Sequence, residues 1–469
     1  MVEQQSAAAW VTVAERRARG KAVRSEVPRS SHGTWAPAPD RADPIDLLES
    51  QAATRVPELV PIRYGRMAAS PFAFYRGAAL PMAADLATMA RVPLRVQLCG
   101  DAHLSNFGGF AAPDRTLVFD INDFDETAPG PFDWDVKRLA ASFEIAGRSL
   151  ALDAATRRSV VATTVRTYRE AMRDFAGMSN LDLWYARLDV DSLVGELGEE
   201  AGKAAVKRLE RTIAKAKSKD RLKAAAKLTR EVDGQLEFIS DPPLLVPIEE
   251  VFSGADSAEL DKIIHGAIRA YRRSLAPDRR HLLETYRYQR VARKVVGVGS
   301  VGTRAWVVLF IGRDEQDPFF LQVKEAQASV LEEFVGKSSY STHGQRVVEG
   351  QRLMQAASDI FLGWDRVPAP DGDRDFYMRQ LWDWKASADI DSMDAATLTI
   401  YARICGWTLA RAHARSGDPV AIAAYLGNSA TFDNAIADFA EAYAEQNDLD
   451  HRALVEAIAQ GRVTAQTGI

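Results

Sequence analysis

An α+β chain, with a small antiparallel β module between two helical regions, is what this 469-residue sequence predicts. Three observations carry that expectation. The runs Val295–Val298, Trp306–Ile311 and Phe319–Val323 are β-branched and aromatic and are separated by Gly, Asp and Pro, the texture of an antiparallel meander. Val136, Leu139, Ala140 and Phe143 upstream, and Tyr401, Ile404, Cys405, Thr408, Leu409 and Ala412 downstream, fall at helical spacing, with Gly417 placed to stop the second helix. A composition of 47% hydrophobic and 26% charged residues is globular, and the length suits two or three domains.

Residues 1–60 read as an arm. Arg16, Arg17, Arg19, Lys21 and Arg24 precede Pro28, Pro37, Pro39 and Pro44, which interrupt any long helix and suggest a partly disordered chain lying over a surface. Residues 61–285 are mostly helical. Within them a strand-like run, Leu94–Leu98, enters a loop at Gly100–Gly109, and a second, Thr116–Ile121, enters an acidic loop. Residues 203–230 hold eleven Lys or Arg against only Glu210 and Asp220, and predict a basic helix: a solvated face, or positive charge offered to a phosphate-bearing ligand. Residues 286–385 form the β-rich unit, which includes a helix near Gln345–Ala357 and a strand at Phe376–Trp382. Residues 386–469 return to helix and complete the helical unit.

A net charge of −5 argues against a nucleic-acid partner. No apolar run approaches the ~18 residues of a membrane span, and the early Glu3 and broken apolar pattern do not make a secretory signal. Cys99 and Cys405 are too few for a disulfide scaffold or a thiolate zinc cluster, so a cytoplasmic protein is expected. The oligomeric state is left open.

The densest chemistry lies in Gly100-Asp101-Ala102-His103-Leu104-Ser105-Asn106, followed by Asp120-Ile121-Asn122-Asp123-Phe124-Asp125-Glu126. Each stretch follows a strand-like run, where loops present side chains from a rigid base. Asp120, Asp123, Asp125 and Glu126 repel one another unless a cation sits among them, and hard oxygen ligands suit Mg²⁺ or Mn²⁺ with phosphate completing the shell. The second signal is Gly297-x-Gly299-x-x-Gly302. A strand follows it instead of the helix a dinucleotide site needs, so it reads as a glycine-rich hairpin whose backbone N–H groups can cover ATP phosphates. Twenty-two residues past Gly302, a strand ends in Lys324, which can reach those phosphates. Glu349 is the first choice for the carboxylate that holds Lys324, with Glu332 and Glu333 as alternatives. Gln380 lies in the strand Phe376–Leu381, where a hinge pairing with adenine is expected.

These residues resemble aminoglycoside-phosphotransferase-like kinases, whose catalytic loop reads His-Gly-Asp-x-His-x-x-Asn: Gly100, Asp101, His103 and Asn106 match, and Cys99 replaces the first His. Asp123-Phe124-Asp125 resembles their metal motif, and Asp135 their structural Asp. The chain from about Asp43 onward also resembles the bacterial family termed domain of unknown function 2252, through SPFAFYRGAA, CGDAHLSNFG, FDINDFDET, GPFDWDVKRLAAS, LQVKEA and GWTLARAHARSGD.

The kinase resemblance implies a two-lobed, protein-kinase-like fold. Its catalytic loop precedes the glycine loop, so the order is that of a circular permutation, with the helix ending in His413 continuing spatially at Gly100. It implies an ATP- and Mg²⁺-dependent phosphotransferase acting on a hydroxyl or amine of a small-molecule acceptor. Asp101 and His103 would be catalytic, Asn106, Asp123 and Asp125 would hold metal, and Gly297, Gly299, Gly302, Lys324, Glu349 and Gln380 would bind nucleotide. Arg76 either reaches the site or anchors the arm. The alternatives are a metal-dependent phosphoesterase using Asp101, His103, Asn106, Asp120 and Asp123, and a nucleotide-binding pseudokinase.

Overall fold

Period-two alternation builds the central sheet. In the run Ala305–Ile311, Val307, Leu309 and Ile311 enter one apolar cluster, while Val308 and Phe310 enter another on the opposite face. The computed structural model describes residues 11–469 except 193–210, 212, 215, 216, 219, 255, 296, 370, 371, 382 and 383. Val296, Trp382 and, within the basic stretch 203–230, residues 203–210, 212, 215, 216 and 219 therefore lie outside the described residues.

Four short strands frame the acidic loops: β1 (Arg95–Leu98), β2 (Phe107–Ala111), β3 (Leu117–Ile121) and β4 (Ala128–Pro131). β1 pairs with β4, and β2 with β3, both antiparallel. β5 (Leu188–Asp189) extends the second pair, and β6 (Thr229–Val232) and β7 (Gln235–Phe238) form a separate hairpin. The main sheet holds β8 (Leu245–Pro247), β9 (Arg287–Lys294), β10 (Ala305–Ile311), β11 (Pro318–Ala326), β12 (Gly363–Val367) and β13 (Arg374–Gln380). Its order is β12-β13-β11-β10-β9-β8, antiparallel throughout. β14 (Ala386–Ser387) returns to pair with β2.

Several expectations are corrected here. The first meander strand is Arg287–Lys294, upstream of the apolar Val295–Val298, because strand identity follows ladder pairing with β10 and not apolarity. The sheet unit is also larger than 286–385. β8 joins its edge, the helix Ser257–Arg272 supplies Tyr271 to one face, and the helix Arg221–Leu228 supplies Ala224 and Leu228 to the other. An amphipathic helix shows which of its faces is apolar, not which surface covers it.

The helical unit packs around Phe132–Ser149, a helix buried on nearly every side, against Ala154–Phe175, Ala395–Ser416 and Thr431–Ala459. From residue 11 the arm lies over the helical unit. Thr12 and Glu15 cap the helix Val13–Glu26, and Arg16 and Arg19 bind Asp418. Arg24 and Arg29 donate to the carbonyls of Ala424, Tyr425 and Leu426, so the arm's arginines satisfy the C-terminal end of the helix Pro419–Leu426. Both cysteines are free and buried, and no helix among the described residues is long and apolar enough to cross a membrane.

Candidate active site

β1 delivers the chain into the loop 99–106, and the helix Phe132–Ser149 holds that loop from behind. Asp135 and Arg138 are three residues apart and so share a helix face. Asp135 accepts the N–H groups of Cys99 (2.8 Å) and Gly100 (3.1 Å). The Nε and Nη2 of Arg138 donate to Asp101 Oδ1 at 2.9 and 2.7 Å. Burial pushes the Asp101 carboxyl above its ordinary value, and the Arg138 charge only partly offsets this. Asn106 donates its amide N–H to the Asp101 carbonyl oxygen at 2.8 Å, which makes its amide oxygen the ligand atom a hard cation would take.

His103 lies behind this carboxylate. Its Nε2 is 3.7 Å from Asp101 Oδ2, and burial drives the imidazole well below its usual value, so it is neutral. It lines neither of the cavities described below.

The acidic loop does not gather its four carboxylates around one point, as the sequence had suggested. Asp120 turns inward to Arg411 and accepts the N–H groups of Ile121 and Ala356. Glu126 accepts the Val330 N–H at 2.7 Å, and burial raises its carboxyl to about 7. Asp123 and Asp125 alone turn to the sheet, where Lys324 Nζ lies 3.6 Å from Asp123 and 2.5 Å from Asp125. Tyr377, directly across from Lys324 in the β11–β13 register, donates its hydroxyl to Asp125 at 2.6 Å. Burial raises both carboxyls. For Asp125, Lys324 and Tyr377 more than compensate and hold it below its ordinary value, while the Asp125 charge adds to burial in raising Asp123. Among the described residues, no three or more His, Cys, Asp or Glu are grouped to hold a metal on their own.

The carboxylate that holds Lys324 is thus Asp125, and not Glu349, Glu332 or Glu333. Glu349 pairs with Arg352 at 3.1 Å, and Glu332 lies 3.5 Å from Arg346. The helix His343–Met354 aims Arg346 at the site, where it donates to the carbonyls of Asp125, Thr127 and Gln327. At Gly350 this helix is so close to Thr127 that a Cβ would stand 2.5 Å from its methyl group.

The glycine loop between β9 and β10 spans the same cleft. Gly297 and Gly302 have φ of 68° and 91°, left-handed conformations that glycine adopts without strain, and Gly299 lies against the Arg76 carbonyl. Ser300 Oγ reaches Asp125 Oδ2 at 3.3 Å. Arg55 donates to Val301 O and Arg66 to Gly297 O, so the end of the arm and the helix Val60–Ala68 pin the loop. Gln380 lines the cleft, but its N–H is already given to Asp359 Oδ2 and is not open to adenine as expected.

Two cavities meet at this point. One, of about 540 Å³, is lined by Lys324, Gly297, Gln380 and Leu381; the other, of about 830 Å³, by Asp101, Asp125 and Gly299. Arg76, Asn106, Asp123 and Ser300 line both. The sequence offered no decision on Arg76 and missed Arg138 and Tyr377. The shared helix face of Asp135 and Arg138 was the available signal for one of them; the cross-strand position of Tyr377 was invisible without the register.

Fold and site together define an α+β protein whose 99–106 loop, acidic loop and sheet lysine converge between two cavities. Residues 55–457 match the bacterial family described as "Uncharacterized protein conserved in bacteria (DUF2252)", and the chain belongs to that family. No similar protein was found among curated proteins or among solved structures.

Proposed function

We propose that this protein is an ATP- and Mg²⁺-dependent phosphotransferase with a circularly permuted, protein-kinase-like arrangement, acting on a hydroxyl or amine of a small molecule. One observation carries the reading: Lys324 of the sheet meets Asp123 and Asp125 of the acidic loop at 3.6 and 2.5 Å, with Ser300 of the glycine loop at the same carboxylate. A phosphate-binding lysine, a metal-binding aspartate and a glycine-rich cover are the parts phosphoryl transfer requires. The permutation is supported by His413. It lies 3.2 Å from the same Asp135 that holds Cys99 and Gly100, and Ser416 accepts the Gln97 N–H at 3.2 Å. The free, buried thiols of Cys99 and Cys405 support a cytoplasmic location.

Each residue then has a task. Asp123 and Asn106, both at the junction of the cavities, supply oxygen ligands for Mg²⁺, which when bound neutralises the triphosphate. Lys324 holds phosphate from the smaller cavity, with Asp125 and Tyr377 fixing its side chain. Asp101 faces the larger cavity, orients the acceptor and takes its proton at the carboxylate, while Arg138 keeps that carboxylate in place. His103 supports Asp101 from behind as a neutral group. The phosphoesterase alternative loses a ligand in Asp120, whose carboxylate is spent on Arg411.

Thermal melting with and without Mg²⁺·ATP tests the proposal. ATP at a hundredfold over Kd is expected to stabilise the protein by about 2.7 kcal/mol, and Lys324→Met is expected to abolish that gain. An equal gain in the variant removes Lys324 from the site, and no gain in the native protein ends the reading.

A further inference from the structure

The larger cavity carries a charge pattern that the phosphotransfer reading does not use. Arg55, Arg63 and Arg76 all line it, and in each of the three the Nε is buried with no hydrogen-bond partner. None has a carboxylate within ion-pair distance among the described residues, although Arg55 gives one Nη to Val301 O, and Arg63 gives its own to Leu48 O, Gln51 and Gly77 O. Arg76 makes no hydrogen bond or ion pair among the described residues, and it stands where the two cavities join. A buried guanidinium without an anion is costly, and burial accordingly pushes all three arginines below their ordinary value.

The acidic residues of the same cavity act on this charge only from beyond ion-pair distance, Asp101 on Arg76 and Glu126, Asp125 and Glu325 on Arg55, and most are held by other partners. Glu325 is held by Arg304 and Arg374 at 3.2 and 3.3 Å, Asp375 by Arg366 at 2.6 Å, and Asp101 by Arg138 at 2.7 Å. Asp125 is held by Lys324 at 2.5 Å, and Glu126 accepts the Val330 N–H. Asp373 is exposed. Asp123 lies 3.6 Å from Lys324, and the cations of this lining left without a carboxylate at ion-pair distance among the described residues are Arg55, Arg63 and Arg76.

We propose that the larger cavity is an anion-binding acceptor site: it takes a small molecule bearing a carboxylate or phosphate beside the hydroxyl or amine to be phosphorylated, with Arg76 and Arg55 binding the anion and Asp101 facing the reacting group. The acceptor role rests on the phosphotransferase reading; the anion site itself does not. In this arrangement the anion compensates the buried guanidinium charge, and Arg76 lies next to both the acceptor and the phosphates. A cationic acceptor of the aminoglycoside kind would meet unpaired arginines and be repelled.

Calorimetric titration of the full-length chain with inorganic phosphate, and separately with malonate as a carboxylate probe, tests this. Saturable binding of at least one probe is expected, weakened about tenfold or more by Arg76→Gln and by Arg55→Gln, as for loss of a charge-assisted hydrogen bond. It should persist in Lys324→Met. Arg76→Gln breaks no side-chain hydrogen bond or ion pair among the described residues, so it decides the matter even if Arg55→Gln folds poorly. Absence of binding of both probes overturns the proposal, as does binding indifferent to Arg76→Gln or binding lost only in Lys324→Met, which would put the anion in the nucleotide cavity. ATP binding by the same samples is read separately. Its failure with anion binding intact ends the phosphotransferase reading but not the site, and the converse removes the site alone.

Discussion

Lys324 Nζ lies 2.5 Å from Asp125 Oδ2, although 199 positions separate the two residues in the chain. Lys324 is buried and Asp125 half-buried, and the pair joins the main sheet to the loop after β3. Burial lowers the lysine's proton affinity, but Asp123 and Asp125 more than offset it, so the ammonium stays charged.

Breaking this pair from one side should be costly. Lys324→Met leaves Asp125 with only the hydroxyls of Tyr377 and Ser300, and a loss of about 1–3 kcal/mol is expected for a half-buried charge that loses its cation. Lys324→Met combined with Asp125→Asn should recover part of it, since Asp125 then carries no charge and only the more distant Asp123 loses its cation. Urea denaturation of the three proteins measures the coupling. A double variant as unstable as the sum of the singles would mean that the pair contributes nothing.

Asp101 and Asp123 should separate turnover from binding. Asp101→Asn is expected to keep ATP affinity while lowering turnover by ~10²–10⁴-fold, as for a lost general base. Asp123→Asn should weaken Mg²⁺-dependent ATP binding, and EDTA should reproduce that defect in the native protein. If Asp101→Asn abolishes metal-dependent binding as fully as Asp123→Asn, the roles given to the two residues are wrong.

Arg411 and Asp120 form an ion pair with both side chains almost fully buried, and Arg411 also donates to Met354 O at 2.8 Å. Arg411→Ala should therefore destabilise by about 3–5 kcal/mol. Arg411→Met with Asp120→Asn should fare better. Neither change should move Mg²⁺ affinity directly, because Asp120 faces the helix Ala395–Ser416 and not the cavities. A metal-affinity loss in Asp120→Asn, at unchanged stability, would contradict this placement.

His32 predicts an acid sensitivity. Burial, reinforced by Lys137, lowers it from 6.5 to about 4, and its Nε2 lies 2.7 Å from the Tyr425 hydroxyl. Between these two values the unfolded chain binds a proton that the folded chain does not. The contribution is whole above about pH 6.5 and declines as pH falls toward 4, reaching about 3 kcal/mol in full. Stability curves from pH 7 to 4 should be shallower for His32→Gln, which keeps a polar partner for Tyr425. Parallel curves would show that another group controls acid unfolding.

The local chemistry was legible in the sequence because it is written over a few residues. Asp101, His103 and Asn106 share one loop, Asp123 and Asp125 another, and the period-two runs of β10 and β11 present Lys324 at the end of a strand. Alternation and turn composition reflect backbone geometry, which each segment carries with it. Which groups meet across the chain was not legible. The partner of Lys324 was expected on the next helix, at Glu349, and is Asp125; the arm was expected to lie over a surface, without a sign that this surface holds Asp418 and the end of the helix Pro419–Leu426. By itself the sequence determined the element types, the two loops and their inventory of ligands. The tertiary structure alone decided that Asp120 is spent on Arg411, that Arg138 restrains Asp101, and that Arg55, Arg63 and Arg76 line one cavity without a carboxylate at ion-pair distance among the described residues. Burial and pairing depend on which distant faces dock, and the energy of a charge depends on what that docking leaves beside it.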